Sequence, residues 1–263
     1  MKLLNILLIG LFPILLFGQN QGKIVYQDLT ELEIELPPER QQYADMIPKE
    51  FKSVMELYFN ETESYYQQDE TAAEEVENDP FAKRGRIFRM GGGGSSKYYF
   101  NTKENQALIA ENMMNKDFLI TSEIKKTEWK VSPDQAEIAG YVCMKAEAVI
   151  DSTNVIAWFT PQIPLSVGPE KYNGLPGAIL KIETESNFKR GKGAKGKSFK
   201  TIVATSIEMK DFNDKIVVPK KGKKVSPEEF KAIRKEKMEE MRKMNRGGRG
   251  GRPGGGGPSR GGR

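Results

Sequence analysis

The sequence predicts an α+β fold in which β-structure dominates, built as an antiparallel sheet or an open barrel. Two observations carry this expectation. Short apolar segments recur at close spacing with turns between them, the pattern of consecutive antiparallel strands. The one long amphipathic helical pattern lies near the C-terminus, outside that series.

Lys23-Ile24-Val25-Tyr26 opens the first strand. Leu32, Ile34 and Leu36 then alternate with Glu31, Glu33 and Glu35, so one face is buried and one is wet. Pro37-Pro38 stops it, Glu39–Met46 reads as a short helix, and Val54–Phe59 as a second strand. Residues 61–79 are acidic and Gln-rich without periodicity and read as a mobile connection. Arg86–Met90 and Lys97–Phe100 resume strand character around the tip Gly91–Ser96. Further strands are expected at Ala107–Ala110, Lys116–Glu123, Glu128–Val131, Cys143–Ile150 and Asn154–Thr160. Ala178–Glu185 and Phe199–Met209 complete the series, so that residues 19–218 make a single β-rich domain.

Residues 219–245 read as a linker and a basic helix. Ser226 is a suitable N-cap, Pro227 fits the first helical position, and Glu229 stands where a capping box needs it. The helix should reach Met244 with a thin apolar stripe of Phe230, Ile233, Lys237, Met241 and Met244. Beyond it, Arg246–Arg263 holds only Gly, Arg, Pro and Ser, with nothing to bury, and is expected to be disordered.

The first residues suggest export. Lys2 precedes an apolar run from Leu3 to Phe17, which ends at Gly18 before polar Gln19-Asn20-Gln21. A membrane span needs about 20 apolar residues, so the run suits a secretory signal over 1–18, cleaved after Gly18. The mature protein is then expected in the periplasm, secreted, or associated with the outer membrane. No Cys follows the run, which excludes lipid attachment at a processed Cys.

Charge is divided along the chain. Residues 219–263 carry 15 Lys and Arg against 5 Glu, a net of +10, which leaves −6 for residues 19–218. A basic appendage on a mildly acidic body is the natural reading. Its expected target is an anionic membrane surface, reached through Arg246–Arg263. The Arg-Gly composition is similar to RNA-binding segments, but the body holds no nucleic-acid motif, so no nucleic acid is expected. The alternative is a solvated tail with no partner.

Chemistry is restricted by what is missing. There is no histidine, which removes Ser-His and Cys-His pairs and imidazole metal sites. Cys143 is the only cysteine, precludes an internal disulfide, and reads as a core residue. Met238, Met241 and Met244 could hold a soft ion such as Cu(I), yet their spacing equally fits an amphipathic stripe. Glu183 and Glu185 alternate on one strand and read as a wet face. No catalytic residue, metal or cofactor is implied, and the protein is expected not to be an enzyme.

The most distinctive stretch is Trp158-Phe159-Thr160-Pro161-Gln162-Ile163-Pro164, then Gly168-Pro169, then Tyr172 to Leu180. A strand enters a Pro-rich loop and returns through a turn into another strand. Gly174 and Gly177 allow positive φ or close backbone approach, and Pro176 holds Leu175 extended. These three are the expected structural residues of the loop. Leu175 is either a plug into the core or the floor of a groove. Here the chain resembles the GLPGLI family of exported Bacteroidetes-type proteins, with Gly174-Leu175-Pro176-Gly177-Ala178-Ile179 departing at Ala178. The run Gly140–Ala146 is similar too. The resemblance spans roughly residues 20–210 and implies a curved antiparallel sheet or open half-barrel with no defined activity. Asp151-Ser152-Thr153 also resembles a short O-glycosylation signal of such proteins.

The expected function is binding, of a partner protein or an apolar ligand, on the curved sheet, with Trp158, Phe159, Tyr172 and Leu175 lining the groove. The rival is a surface assembly module with a sealed core, acting through its basic tail. A sizeable apolar cavity favours the first; a filled core with an apolar surface patch favours the second.

Overall fold

A computed structural model describes residues 20–69, 71, 96–190 and 193–247. The expected signal segment, the strand at Arg86–Met90 and the C-terminal tail from residue 248 lie outside these residues, as does most of the glycine-rich tip.

Among the described residues, twelve strands make one open sheet. They are β1 (Gly22–Glu35), β2 (Glu50–Phe59), β3 (Glu63–Gln68), β4 (Lys97–Asn101), β5 (Gln106–Met113) and β6 (Lys116–Glu123), then β7 (Lys130–Ile138), β8 (Tyr141–Ile150), β9 (Thr153–Thr160), β10 (Ala178–Arg190), β11 (Ala194–Glu208) and β12 (Lys223–Val225). The order across the sheet is β12-β6-β5-β4-β3-β2-β1-β11-β10-β9-β8-β7. Every neighbour is antiparallel except β12, which adds parallel to β6. A C-terminal helix, α1 (Pro227–Gly247), completes the fold.

Local chemistry sets the register. The β5–β6, β7–β8 and β8–β9 hairpins turn through two residues of positive φ, Met114-Asn115, Ala139-Gly140 and Asp151-Ser152. Such turns match the twist of the flanking strands. β7 is an edge strand, and its bulge between Val131 and Gln135 accommodates Pro133, which has no N–H to donate. The helix starts as its sequence requires. The Ser226 N–H donates to Glu229 Oε2 at 2.7 Å, and the Glu229 N–H to Ser226 Oγ at 3.1 Å.

The sheet is curved. Strands spaced about 4.8 Å apart would hold β7 and β11 roughly 19 Å apart in a flat sheet, yet Cα atoms of the two come within 8 Å. Its inner face carries Ile24, Tyr26, Leu57, Tyr66, Ala157, Phe159, Ile182 and Ile202, all at most 2% exposed. The β9–β10 loop packs into this face, and Phe230 of α1 stacks edge-on against Phe118 at its β6 end, with ring centroids 5.3 Å apart. On the outer face Tyr58, Tyr65, Tyr99, Leu108 and Leu119 form a second cluster. Phe212 and Ile216 cover it as the chain crosses from β11 to β12.

Three expectations change. The acidic connection at 61–79 contains β3, because Tyr65 and Tyr66 are buried on opposite faces and supply the apolar area. The short helix at 39–46 is a 3-10 segment, Pro38–Met46. The linker before α1 contributes β12.

Candidate functional site

The loop between β9 and β10, residues 161–177, fills the inner face. Ile163 and Leu175 are each 2% exposed, and Val167 and Tyr172 each 7%. The Ala178 N–H donates to Ile163 O and the Ile179 N–H to Val167 O, so the loop extends the hydrogen bonding of β10. The Tyr26 hydroxyl donates to Ile179 O at 2.7 Å from beneath.

Two glycines do different work here. Gly174 has φ +92° and turns the chain. Gly177 allows close approach instead: a Cβ there would meet the Thr160 carbonyl oxygen at 2.2 Å. Pro176 between them is exposed.

The expected groove residues separate. Phe159, Tyr172 and Leu175 are packed inside the core cluster. Trp158 follows the strand alternation to the outer face, where its indole N–H donates to Glu183 Oε2 at 3.2 Å between cross-strand Lys145 and Lys181. Leu175 is the plug of the two roles open to it. Cys143 is fully buried, and burial pushes its thiol up to about 11.

The opening lies beside the loop. A cleft of about 300 Å³ is bounded by Leu165–Gly168 and Asn173-Gly174 of the loop, the β2–β3 turn at Asn60–Thr62, and the linker Ile124–Thr127. Ser64, Phe100 and Val167 form its inner wall. The linker is fixed to the loop by Trp129, whose indole N–H donates to Asn173 O at 2.8 Å. Ser166 Oγ accepts the Gly174 N–H at 2.8 Å. Lys125 and Lys126 stand exposed on one side and Glu61 on the other. These residues come from segments far apart in the chain; Gly168, Asn173 and Gly174 belong to the stretch distinctive in sequence, whereas the β2–β3 turn and the linker were marked by no local motif.

A family model described as a protein of unknown function (Porph_ging) matches residues 147–181. That Bacteroidetes-associated match runs from the end of β8 through the Pro-rich loop into β10, the segment that builds one wall of the cleft. No curated protein matches the chain. Among solved structures, PNGF-II in the P21 space group is 15% identical with a TM-score of 0.51, over 81% of this chain and 33% of that chain. PNGF-II in the C2 space group gives 15% identity and 0.48, over 80% of this chain and 32% of that one. The chain thus spans about a third of the length of those structures. The first likeness is one of fold.

A polar knot lies further along the inner face. Lys200 reaches Asp28 at 3.3 Å and also pairs with Glu170, which has φ +51° in the loop. Burial lowers the affinity of Lys200 for its proton, but Glu170 and Asp28 outweigh it and the ammonium is held above its usual pKa. Among the described residues, no three Asp, Glu, Cys or His side chains are grouped to hold a metal ion.

Proposed function

We propose that the protein is a non-enzymatic exported protein of the cell envelope, of the GLPGLI kind, that holds an extended segment of a partner protein in the cleft beside its Pro-rich loop. The observation that carries this reading is the cleft of about 300 Å³ between the Pro-rich loop, the β2–β3 turn and the 124–127 linker. The inner face itself is filled by Phe159, Tyr172 and Leu175, each at most 7% exposed. A filled face supports a protein partner over an apolar small molecule. The cleft offers what a peptide needs: apolar Phe100, Ile124 and Leu165, and main chain at 124–127 that belongs to no helix or strand. Charges of opposite sign on its two sides would orient the bound chain.

The test places a photo-crosslinking amino acid at Thr102, on the cleft wall, and at Thr205, exposed on β11, in cells exporting the protein. A discrete protein adduct from position 102 and none from 205 is the expected result. Equal labelling from both sites, or none from 102, overturns the reading.

A second reading rests on the charge division between a body of −6 and a tail region of +10. In it the sealed domain is an accessory module, and its basic end attaches it to anionic envelope surfaces. Sedimentation with anionic vesicles tests this directly.

A further inference from the structure

Helix α1 is anchored near its start. Phe230 and Ile233 join Met113, Phe118, Ile120 and Val225 in one apolar cluster on the sheet. Residues 234–247 carry the helix on for about 21 Å at the usual rise. Along that length Met238, Met241 and Met244 belong to none of the apolar clusters among the described residues. Met244 is 69% exposed.

The apolar stripe continues past the anchorage all the same. At about 3.6 residues per turn, Phe230, Ile233, Lys237, Met238, Met241 and Met244 share one side of the helix. Lys231, Arg234 and Lys235 stand exposed along one margin of that stripe. Glu236 and Glu239 fall away from it by the same repeat. Glu240, on the other margin, is neutralised by Lys237 at 2.7 Å, the one ion pair on α1 among the described residues.

Two observations name what would cover this face. Lys237 stands within the stripe. A protein surface would bury its ammonium, whereas at a bilayer surface a lysine reaches back to the headgroups. The charge of the region is also one-sided, with a net of +10 over residues 219–263, which complements anionic lipid. Among the described residues no helix is long and apolar enough to cross a membrane, so α1 would lie in the surface plane.

We propose that residues 234–247 of α1 lie on an anionic bilayer surface, with Met238, Met241 and Met244 entering the boundary between headgroups and acyl chains. The proposal rests on the second reading above, attachment through the basic end, and adds an apolar step to it. Methionine suits the role, since its unbranched thioether chain adapts to an irregular surface. Three such side chains hold a protein weakly by themselves, so the arginines of 246–263 remain necessary for capture. The contact needs no cavity and leaves the filled inner face as it is.

The experiment uses the full chain and vesicles of phosphatidylglycerol and phosphatidylcholine in equal parts at low salt. Met241→Cys carries an environment-sensitive fluorophore; Cys143, fully buried, stays unlabelled. Sedimentation reports attachment, and quenching by lipid brominated in its acyl chains reports depth. The label at 241 should shift to the blue and be quenched, while the same label on Glu239→Cys should not. The double variant Met241→Ser, Met244→Ser should lower partitioning about fivefold through lost apolar contact. Val149→Ser, at an exposed β8 position, should leave it unchanged. Sedimentation without quenching at 241, or equal quenching at 241 and 239, overturns the insertion and leaves attachment by charge standing. Failure to sediment overturns both. An equal blue shift with polyglutamate in place of vesicles assigns the stripe to an acidic protein and also overturns the proposal.

Discussion

Gly177 and Thr160 touch backbone to backbone: a Cβ on Gly177 would lie 2.2 Å from the Thr160 carbonyl oxygen. The contact closes the Pro-rich loop onto the end of β9, just where β10 begins to pair with it through Ala178. Its cause is space, since the positive φ belongs to Gly174. Gly177→Val must push the two strands apart and should destabilise the protein by about 3 kcal/mol. Urea unfolding would measure it, and an unchanged midpoint would mean that the loop does not need this closure.

Leu175, at 2% exposure, fixes the middle of the same loop. Leu175→Ala leaves a cavity beneath a loop that Ile163 and Val167 also hold, and should cost about 2–5 kcal/mol. Thermal unfolding separates this from a groove role, in which stability would be preserved and ligand lost.

Most strands were legible because one side of each faces the core and the other water, as Leu32 and Ile34 alternate with Glu31, Glu33 and Glu35. β3 was not, because both of its faces are covered: Tyr66 packs inward and Tyr65 outward, leaving no alternation to read. β12, only Lys223-Lys224-Val225, exists through its pairing with β6, a partner about a hundred residues away that local sequence cannot announce. At the site, the loop was recognisable from its prolines and glycines, whereas Leu175 stayed open between core plug and groove floor. The assignment of Trp158 and Phe159 to one groove conflicted with period-two alternation, which sends neighbours on a strand to opposite faces. The cleft was beyond reach, since the β2–β3 turn, the 124–127 linker and the loop meet only when the sheet has curled.

Cys143 gives a pH signature. Its thiol ionises near 9 when unfolded and at about 11 in the core, because burial disfavours the thiolate. Below pH 9 both states keep the proton and nothing changes. As pH rises from 9 to 11 the unfolded chain releases it first, so stability falls by roughly 2 kcal/mol from this group. Cys143→Ala should have a shallower loss of stability across that window, measured by urea unfolding at each pH. Parallel curves would show that the thiol is not shielded as described.

The Ser226–Glu229 capping box ties α1 to the sheet, since Val225 beside it pairs with Ile120 of β6. Ser226→Ala removes one of the two reciprocal bonds and should cost about 1 kcal/mol. The effect should be local. Hydrogen exchange at the Phe230 amide, which donates to Ser226 O at 2.9 Å, should quicken while exchange in β10 and β11 stays slow.

Removing Arg246–Arg263 separates the roles of body and tail. The segment contains five Arg and no side chain that would gain by burial apart from its prolines. Phe230 and Ile233, which anchor the start of α1 in the Met113–Phe118–Ile120 cluster, remain in the shortened chain. The melting temperature should therefore stay within about a degree, well below the shift that 1 kcal/mol produces. Attachment to anionic vesicles should behave differently. It depends on charges acting through solvent, which salt screens over about 8 Å at physiological ionic strength. The full chain should sediment with such vesicles at low salt and release as salt rises, whereas the shortened chain should remain largely free. A lowered melting temperature on truncation would place the tail against the folded domain, and equal sedimentation of both chains would move vesicle binding to the lysines of residues 220–243.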